Sequence, residues 1–377
     1  MLTIQPRKAK HGTADVFGEL TCRMADVSVS LMGVSGAGEP LLRALLAKPC
    51  VRVTAVADRS ADVLTEAGRL GTYELFDDYR QLVVQSQCDL LMITAPPFAG
   101  NDYALLAAGR GAHVWRLPPL ARGFEQAAAL VDAFQRTDRM LLVGTAWRVD
   151  PRYQAMVSHL HELGGLFLAR AAVVSHLQDP LGWRGDSARA GGGVLLNQAY
   201  EAVDRIVALL GLPDEVMASA TCLARTQTAQ SYDTEDTASA MLRYPKGVTG
   251  LIAASWLSQP REDSFRLHGS TGSATIDTEG LALIDADGRA SVTRPHEPER
   301  ALVAQIHAVI EAVTEGRPPE LPTGAQQLPT MAVIEAAYLS ARTGQPESPA
   351  DLLRLHGISA EPPHQGRTVV PEEPTAP

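Results

Sequence analysis

The chain has 377 residues, is 45% hydrophobic, and carries 43 acidic against 33 basic side chains for a formal net charge of −10. That is room for two globular domains. The acidic balance offers no basic stripe for nucleic acid or an anionic membrane, and no apolar run approaches the ~20 residues that span a bilayer.

The opening M-L-T-I-Q-P-R-K-A-K-H-G has no apolar core after its charges, so it does not read as a signal peptide. Residues 1–25 show no periodicity and are expected to form a loose leader. Cys22, Cys50, Cys88 and Cys222 are widely spaced, with no C-x-x-C pair. They are expected as small apolar residues in a reducing cytoplasm, with no metal site. From Val27 a regular alternation begins. V-S-V-S-L-M (27–32), V-R-V-T-A-V-A (51–57), D-L-L-M-I-T (89–94) and M-L-L-V-G (140–144) are short aliphatic or β-branched runs that predict strands. Between them Leu41, Leu42, Leu45 and Leu46, then Tyr103 to Ala108, then Phe124, Ala127, Ala128, Val131 and Phe134 fall at helical spacing. Strands alternating with helices predict an α/β, doubly wound parallel sheet over residues 26–146.

Gly33-Val-Ser-Gly-Ala-Gly38 lies between the first strand and a helix with Glu39 and Pro40 in its first turn. Such a turn lets backbone amides reach a pyrophosphate at a helix N-terminus. Gly33, Ser35, Gly36, Ala37 and Gly38 are therefore candidate dinucleotide contacts. Asp58 ends the second strand about twenty residues further on, where an acid bonds ribose hydroxyls. It favours NAD over NADP by repelling a 2′-phosphate, while Arg59 beside it leaves NADP open. In the G-x-G-x-x-G frame Ser35 takes the middle glycine's place, and its Cβ is expected to push the cofactor outward or weaken it.

Beyond about residue 146 the texture changes. One helix is predicted over roughly 191–211. Alternating runs follow at 216–225, 237–244, 249–256, 265–269 and 274–278, with turns at Pro245-Lys246-Gly247 and Gly269-Ser270-Thr271-Gly272. They predict a C-terminal α+β domain over 147–345, built on a large, mostly antiparallel open sheet. Helices are expected over 299–315 and 324–343, available to pack back on the first domain. The tail, 346–377, turns Pro/Glu-rich from about Glu361 and is expected to be partly disordered.

Several segments together carry a family resemblance: T-A-P-P (94–97), G-A-H-V-W-R-L-P-P-L-A (111–121), G-T-A-W-R-V-D-P-R-Y (144–153), G-G-G-V-L-L-N-Q-A-Y-E-A-V-D (191–204), D-T-E-D-T-A-S-A-M-L-R-Y-P-K-G (233–247) and L-H-G-S-T-G-S (267–273). The chain resembles the Gfo/Idh/MocA oxidoreductases over about residues 27–345. The resemblance implies that T-A-P-P passes beneath the nicotinamide ribose, adding Ala95, Pro96 and Pro97 to the cofactor contacts. It implies that the 191–204 helix carries substrate residues.

It also implies losses. Where the family has Glu-Lys-Pro this chain has Leu117-Pro118-Pro119, and proline has no titratable group to replace the lysine acid/base. The family's aspartate, glycine and histidine on the helix are here Asn197, Ala199 and Glu201, with Asp204 alone matching. The histidine expected shortly after T-A-P-P falls at Gly100. The four lysines, Lys8, Lys10, Lys48 and Lys246, lie far from the expected site.

Helical spacing puts Asn197, Glu201 and Asp204 on one face with Tyr200 beside them. Asp204 alone is expected in a solvated stripe, whereas Glu201, in the histidine's place, is expected in the pocket. Two functions follow. One is an NAD- or NADP-dependent oxidoreductase acting on a sugar-like or polyol-like small molecule. Its acid/base would be Glu201, once desolvation raises its pKa, or else Tyr200 or His176. Arg148, Trp183, Arg184, Asn197 and Asp204 would contact the substrate. The other is a non-redox protein, either structural or regulatory, or a proton-transfer enzyme of the lyase or isomerase kind using the same pocket. Catalytic groups that act as a unit are lost as a unit, which speaks for this second function, but the surviving glycine turn, Asp58 and T-A-P-P put the oxidoreductase first. The uncovered face of the second sheet is expected to join copies into a homodimer or homotetramer, with Trp256 and Leu257 either on that face or in the core.

Overall fold

The computed structural model describes residues 27–177, 181–223, 232–316 and 321–359. The expected leader and the Pro/Glu-rich end of the tail lie outside the described residues. The first half of the chain runs β1 (Val27–Met32), α1 (Gly38–Leu46), β2 (Val51–Ala57), α2 (Ala61–Gly68), β3 (Glu74–Phe76), α3 (Tyr79–Gln85), β4 (Leu90–Ile93), α4 (Pro97–Gly109), β5 (His113–Arg116), α5 (Phe124–Thr137) and β6 (Leu141–Val143). These strands form one parallel sheet in the order β3-β2-β1-β4-β5-β6. Every residue of β1 and β4 is buried, as expected of inner parallel strands covered by helices on both faces. The order reverses between β1 and β4, and the crevice at the C-terminal ends of strands on either side of such a reversal is where open α/β sheets take ligands.

The second half continues with α6 (Pro151–Ser158), β7 (Leu166–His176), α7 (Ser187–Ala190), α8 (Val194–Asn197), α9 (Tyr200–Leu210), β8 (Glu215–Thr221), β9 (Thr237–Arg243), β10 (Thr249–Ser255), β11 (Leu257–Gly269), β12 (Gly272–Ile276), β13 (Gly280–Asp285), β14 (Ala290–Pro295), α10 (Pro298–Glu315), α11 (Leu328–Thr343) and α12 (Pro349–Leu355). Its strands form an eight-stranded sheet, β14-β13-β12-β11-β7-β10-β9-β8, in which the β7–β10 pairing is parallel and the others antiparallel. The molecule is thus an α/β fold of a doubly wound sheet followed by a mostly antiparallel one.

Alternation along β9 and β10 gives the second sheet two faces. Ala238, Ala240, Leu242, Ile252 and Ala254 are buried in one core with residues of α9 and α11. On the opposite face Met217, Met241 and Leu251 stand side by side across three strands, 38%, 39% and 37% exposed. Trp256 belongs to the core, at 2% exposure, and Leu257 packs against it. Ile306, Val309 and Ile310 of α10 share a second core with Val29 and Leu31 of β1 and Leu41 and Leu42 of α1.

Two expectations need correction. The single helix over 191–211 is two, with Gln198 and Ala199 between α8 and α9, so Asn197 does not continue the face that carries Glu201 and Asp204. Helix α12 opens the tail, capped by the Ser348 hydroxyl and burying Leu353. Asp204 is no surface residue. It is fully buried, and its carboxylate accepts hydrogen bonds from Trp147 Nε1 at 2.9 Å, Arg148 Nε and Nη2 at 3.2 and 3.0 Å, Gln327 Nε2 at 2.7 Å and Thr330 Oγ1 at 2.8 Å. These donors come from the linker between the sheets and from the start of α11, so one buried anion ties both to α9. Removing one member of a buried, hydrogen-bonded ion pair typically destabilises by about 3–5 kcal/mol. Asp204→Ala is therefore expected to lower stability by that order in urea unfolding, and a loss below about 1 kcal/mol would show the clamp to be idle.

Candidate active-site crevice

The glycine turn and the T-A-P-P turn are built against each other. Gly33 has φ +94°, and a Cβ there would lie 2.7 Å from the Ala95 amide nitrogen; a Cβ on Gly38 would lie 2.1 Å from the Gly33 carbonyl oxygen. Neither position admits a side chain. The Thr94 hydroxyl donates to the Gly33 carbonyl, which fixes Ala95, Pro96 and Pro97 beside the turn at the start of α4. Ser35, Gly36 and Ala37 are exposed, and Gly36 has open space around it. A backbone cradle open at a helix N-terminus fits a dinucleotide pyrophosphate.

The Ser35 side chain is engaged within the turn itself. Its hydroxyl turns inward and donates to Asp58 Oδ2 at 3.0 Å, alongside the amides of Val34 and Ser35 at 2.8 and 2.9 Å. Asp58 Oδ1 accepts the Ser60 amide at 3.0 Å. Burial pushes the Asp58 pKa up, but these donors outweigh it and hold the carboxyl below its ordinary range. The aspartate therefore organises the turn it faces and stays anionic. Arg59 lies 5.2 Å from the centre of the Tyr79 ring, stacked on protein.

On the other side of the crevice the predicted residues part company. Glu201, in the first turn of α9, accepts the Ala146 amide at 3.3 Å. Arg205 lies 4.0 Å away and is itself bonded to Asp263 of β11 at 3.2 Å. Burial is the main cause that lifts the Glu201 pKa to about 7; Asp204 and Asp263 add to it, and Arg205 and the Ala146 amide oppose it. With 29% of its side chain still open, Glu201 is a carboxyl that can exchange a proton near neutrality.

Tyr200 is withdrawn as an acid/base candidate: it is 2% exposed, its hydroxyl donates to Gln327 Oε1 at 2.7 Å, and burial raises its pKa well above the ordinary value. Arg148 is likewise no free clamp for substrate, since its guanidinium is bound to Asp204 and stacks 4.7 Å from the Trp147 ring. Asp204 is enclosed with it. Asn197 turns its amide back to the carbonyls of Gly192 and Gly193, at 2.5 and 3.2 Å, leaving Oδ1 buried without a partner.

His176 is exposed at the end of β7. By strand alternation it lies on the face opposite Ser175, which Gln198 meets from between the helices, so the structure does not bring His176 to Glu201. Trp183 and Arg184 sit on the loop before α7, Arg184 4.6 Å over the Trp183 ring, and that ring is 6.1 Å from Phe98 in the first turn of α4. Arg189 covers Phe98 at 4.2 Å, so this loop bridges the two sheets beside the T-A-P-P turn.

The residues not anticipated are those that act from a distance. Glu235 accepts the amides of Gly193 and Leu195 at 2.6 and 3.0 Å and the Tyr338 hydroxyl at 2.8 Å, and so shapes the turn into α8. A Cβ on Gly193 would lie 1.9 Å from the Glu235 carbonyl oxygen. The triple glycine was the available signal for that close approach.

Two family models match the chain. The oxidoreductase family's NAD-binding Rossmann fold matches residues 27–145, and the GFO/IDH/MocA C-terminal domain matches residues 158–275. The chain belongs to the Gfo/Idh/MocA oxidoreductase family. Its first sheet is that family's NAD-binding domain. Among curated relatives, D-apiose dehydrogenase of Paraburkholderia graminis is 25% identical over 333 residues, 82% of this chain and 85% of that one. Levoglucosan dehydrogenase of Pseudarthrobacter phenanthrenivorans is 24% identical over 254 residues, 59% of this chain and 64% of that one. In fold, a levoglucosan dehydrogenase solved with NADH and L-sorbose superposes with a TM-score of 0.78 at 20% identity, covering 85% of this chain and 98% of that one. An Agrobacterium radiobacter oxidoreductase solved with NAD+, L-tartaric acid and magnesium gives a TM-score of 0.76 at 18% identity, covering 87% of this chain and 100% of that one.

The tightness of the family's glycine turn can be tested directly. Gly33→Ala is expected to lower the melting temperature and weaken NADH binding, because the clash with Ala95 adds to ~1–2 kcal/mol of left-handed backbone strain. Unchanged melting and unchanged affinity would show that the two turns are not in register as described.

Proposed function

We propose that this chain is an NAD-dependent oxidoreductase of a sugar-like or polyol-like small molecule, with Glu201 as its acid/base. The observation that carries the reading is the Glu201 carboxyl, half-open beside the linker, with a pKa lifted to about 7. The dehydrogenases among its relatives support the substrate class. The anionic, turn-bound Asp58 supports NAD over NADP. When bound, NAD supplies or accepts the hydride. Glu201 then takes the hydroxyl proton of the secondary alcohol as its carbon gives up hydride and becomes a carbonyl, and returns that proton in reduction. Arg205, 4.0 Å away, opposes the lift that burial gives the carboxyl without cancelling it.

The sign of the pH dependence follows. Alcohol oxidation needs the ionised carboxylate, so its kcat/KM is expected to rise with pH through about 7, and carbonyl reduction to fall over the same range. Glu201→Gln is expected to remove turnover, by about 10²-fold or more, while nicotinamide fluorescence shows NADH binding unchanged. Turnover retained in the glutamine variant would return Glu201 to a packing role. Tight NADH binding with no turnover on any polyol or sugar would favour the non-redox alternative.

We also propose that copies associate through the face carrying Met217, Met241 and Leu251, an apolar row left open by one chain. Light scattering is expected to give a dimer or tetramer, and Leu251→Glu a smaller species.

A further inference from the structure

Arg116 is the last residue of β5, at the C-terminal edge of the first sheet, directly before Leu117-Pro118-Pro119. It is 1% exposed. Among the described residues its side chain's single hydrogen bond runs from Nη1 to Asn101 Oδ1 in α4. Nε is buried with no partner. No described carboxylate pairs with it, and the titratable group that acts on it is Tyr200, which is neutral. Burial lowers its pKa to about 10, which leaves it charged at neutral pH. Room for the guanidinium comes from Gly100, where a Cβ would lie 3.4 Å from Nη2 and 3.2 Å from Ile93 Cγ2.

A guanidinium held out of water without a counter-charge is unfavourable, and removing it should relieve rather than damage the fold. What it lacks is defined by its geometry. Nη1 is taken by Asn101; Nε and Nη2 together form the planar two-donor edge that matches the two oxygens of a carboxylate. Its place, one strand from the β1–β4 reversal and between the first turns of α4 and α9, is where a substrate beside the dinucleotide would lie.

We propose that the Nε–Nη2 edge of Arg116 recognises a carboxylate on the substrate, so that the sugar-like molecule is a sugar acid. This rests on the reading that the crevice takes a sugar-like substrate. The acid would arrive with the charge that the buried guanidinium lacks, and its neutral analogue would leave that charge unpaired. The discrimination is therefore against the missing group rather than for extra contact area.

The test is calorimetry of three acid and neutral pairs: D-glucuronate with D-glucose, D-galacturonate with D-galactose, and D-gluconate with D-glucitol. Each is titrated into the NADH-loaded and the cofactor-free full chain. At least one acid is expected to bind about tenfold or more tighter than its partner, the worth of one charge-assisted hydrogen bond. Arg116→Met is expected to bring that ratio to about one, with melting temperature equal or higher and NADH affinity unchanged; Arg116→Lys, charged but not forked, should keep part of it. The inference is overturned if no acid outbinds its neutral partner, if the preference survives in Arg116→Met, or if that variant is destabilised, which would make Arg116 a structural residue. Failure of NADH to bind the wild-type chain would overturn the cofactor reading instead, in an arm read separately from the acid preference.

Discussion

A single buried anion fixes the geometry on which everything else in the crevice depends. Asp204 has no exposed surface and gathers Trp147, Arg148, Gln327 and Thr330 around its two oxygens. A carboxylate can be held out of water only when its lone pairs are filled in this way. The consequence is positional. The linker leaving β6 is held against α9, and the Ala146 amide reaches Glu201 one turn before the clamp. Neighbouring acids on one helix thus have opposite fates. Asp204 is saturated with donors, while Glu201 has one amide and a distant guanidinium, and burial lifts its pKa to about 7.

As proposed here, different chemistry sits on the family's frame. The positions where the family resemblance expects lysine and histidine hold Pro118 and Gly100, neither of which can titrate. The small side of that exchange has a use: without a side chain at Gly100, the Arg116 guanidinium fits above α4. On the proposed reading the positive charge of the site is a buried, planar fork in place of a flexible amine. On the same reading proton transfer falls to the Glu201 carboxyl, which burial raises toward neutrality.

What the sequence revealed was set by range. The glycine turn, β1 and β2 were legible because local periodicity and turn chemistry decide them, and Gly33 and Gly38 answer to contacts between neighbouring turns. The inward turn of the Ser35 hydroxyl was not legible, because it depends on where Asp58, 23 positions away, places its oxygen. The break between α8 and α9 was hidden for the same reason: Glu235 and Tyr338, 42 and 142 positions from the residues they hold, shape that turn. Asp204 read as a surface residue because its partners Gln327 and Thr330 are 123 and 126 positions away. Arg116 stood within a familiar motif, yet a charge ending a strand whose last three residues are buried was the signal that periodicity alone could not rank.

The most direct measurement of the central claim is a carbon NMR titration of carboxyl-labelled glutamate in the wild-type chain, with Glu201→Gln used to assign the resonance. A carboxyl poised for proton exchange in the crevice predicts a midpoint near 7 for Glu201. A midpoint in the usual glutamate range of about 4 to 5 would mean that the side chain is solvated and that the crevice lacks the acid/base this account assigns to it.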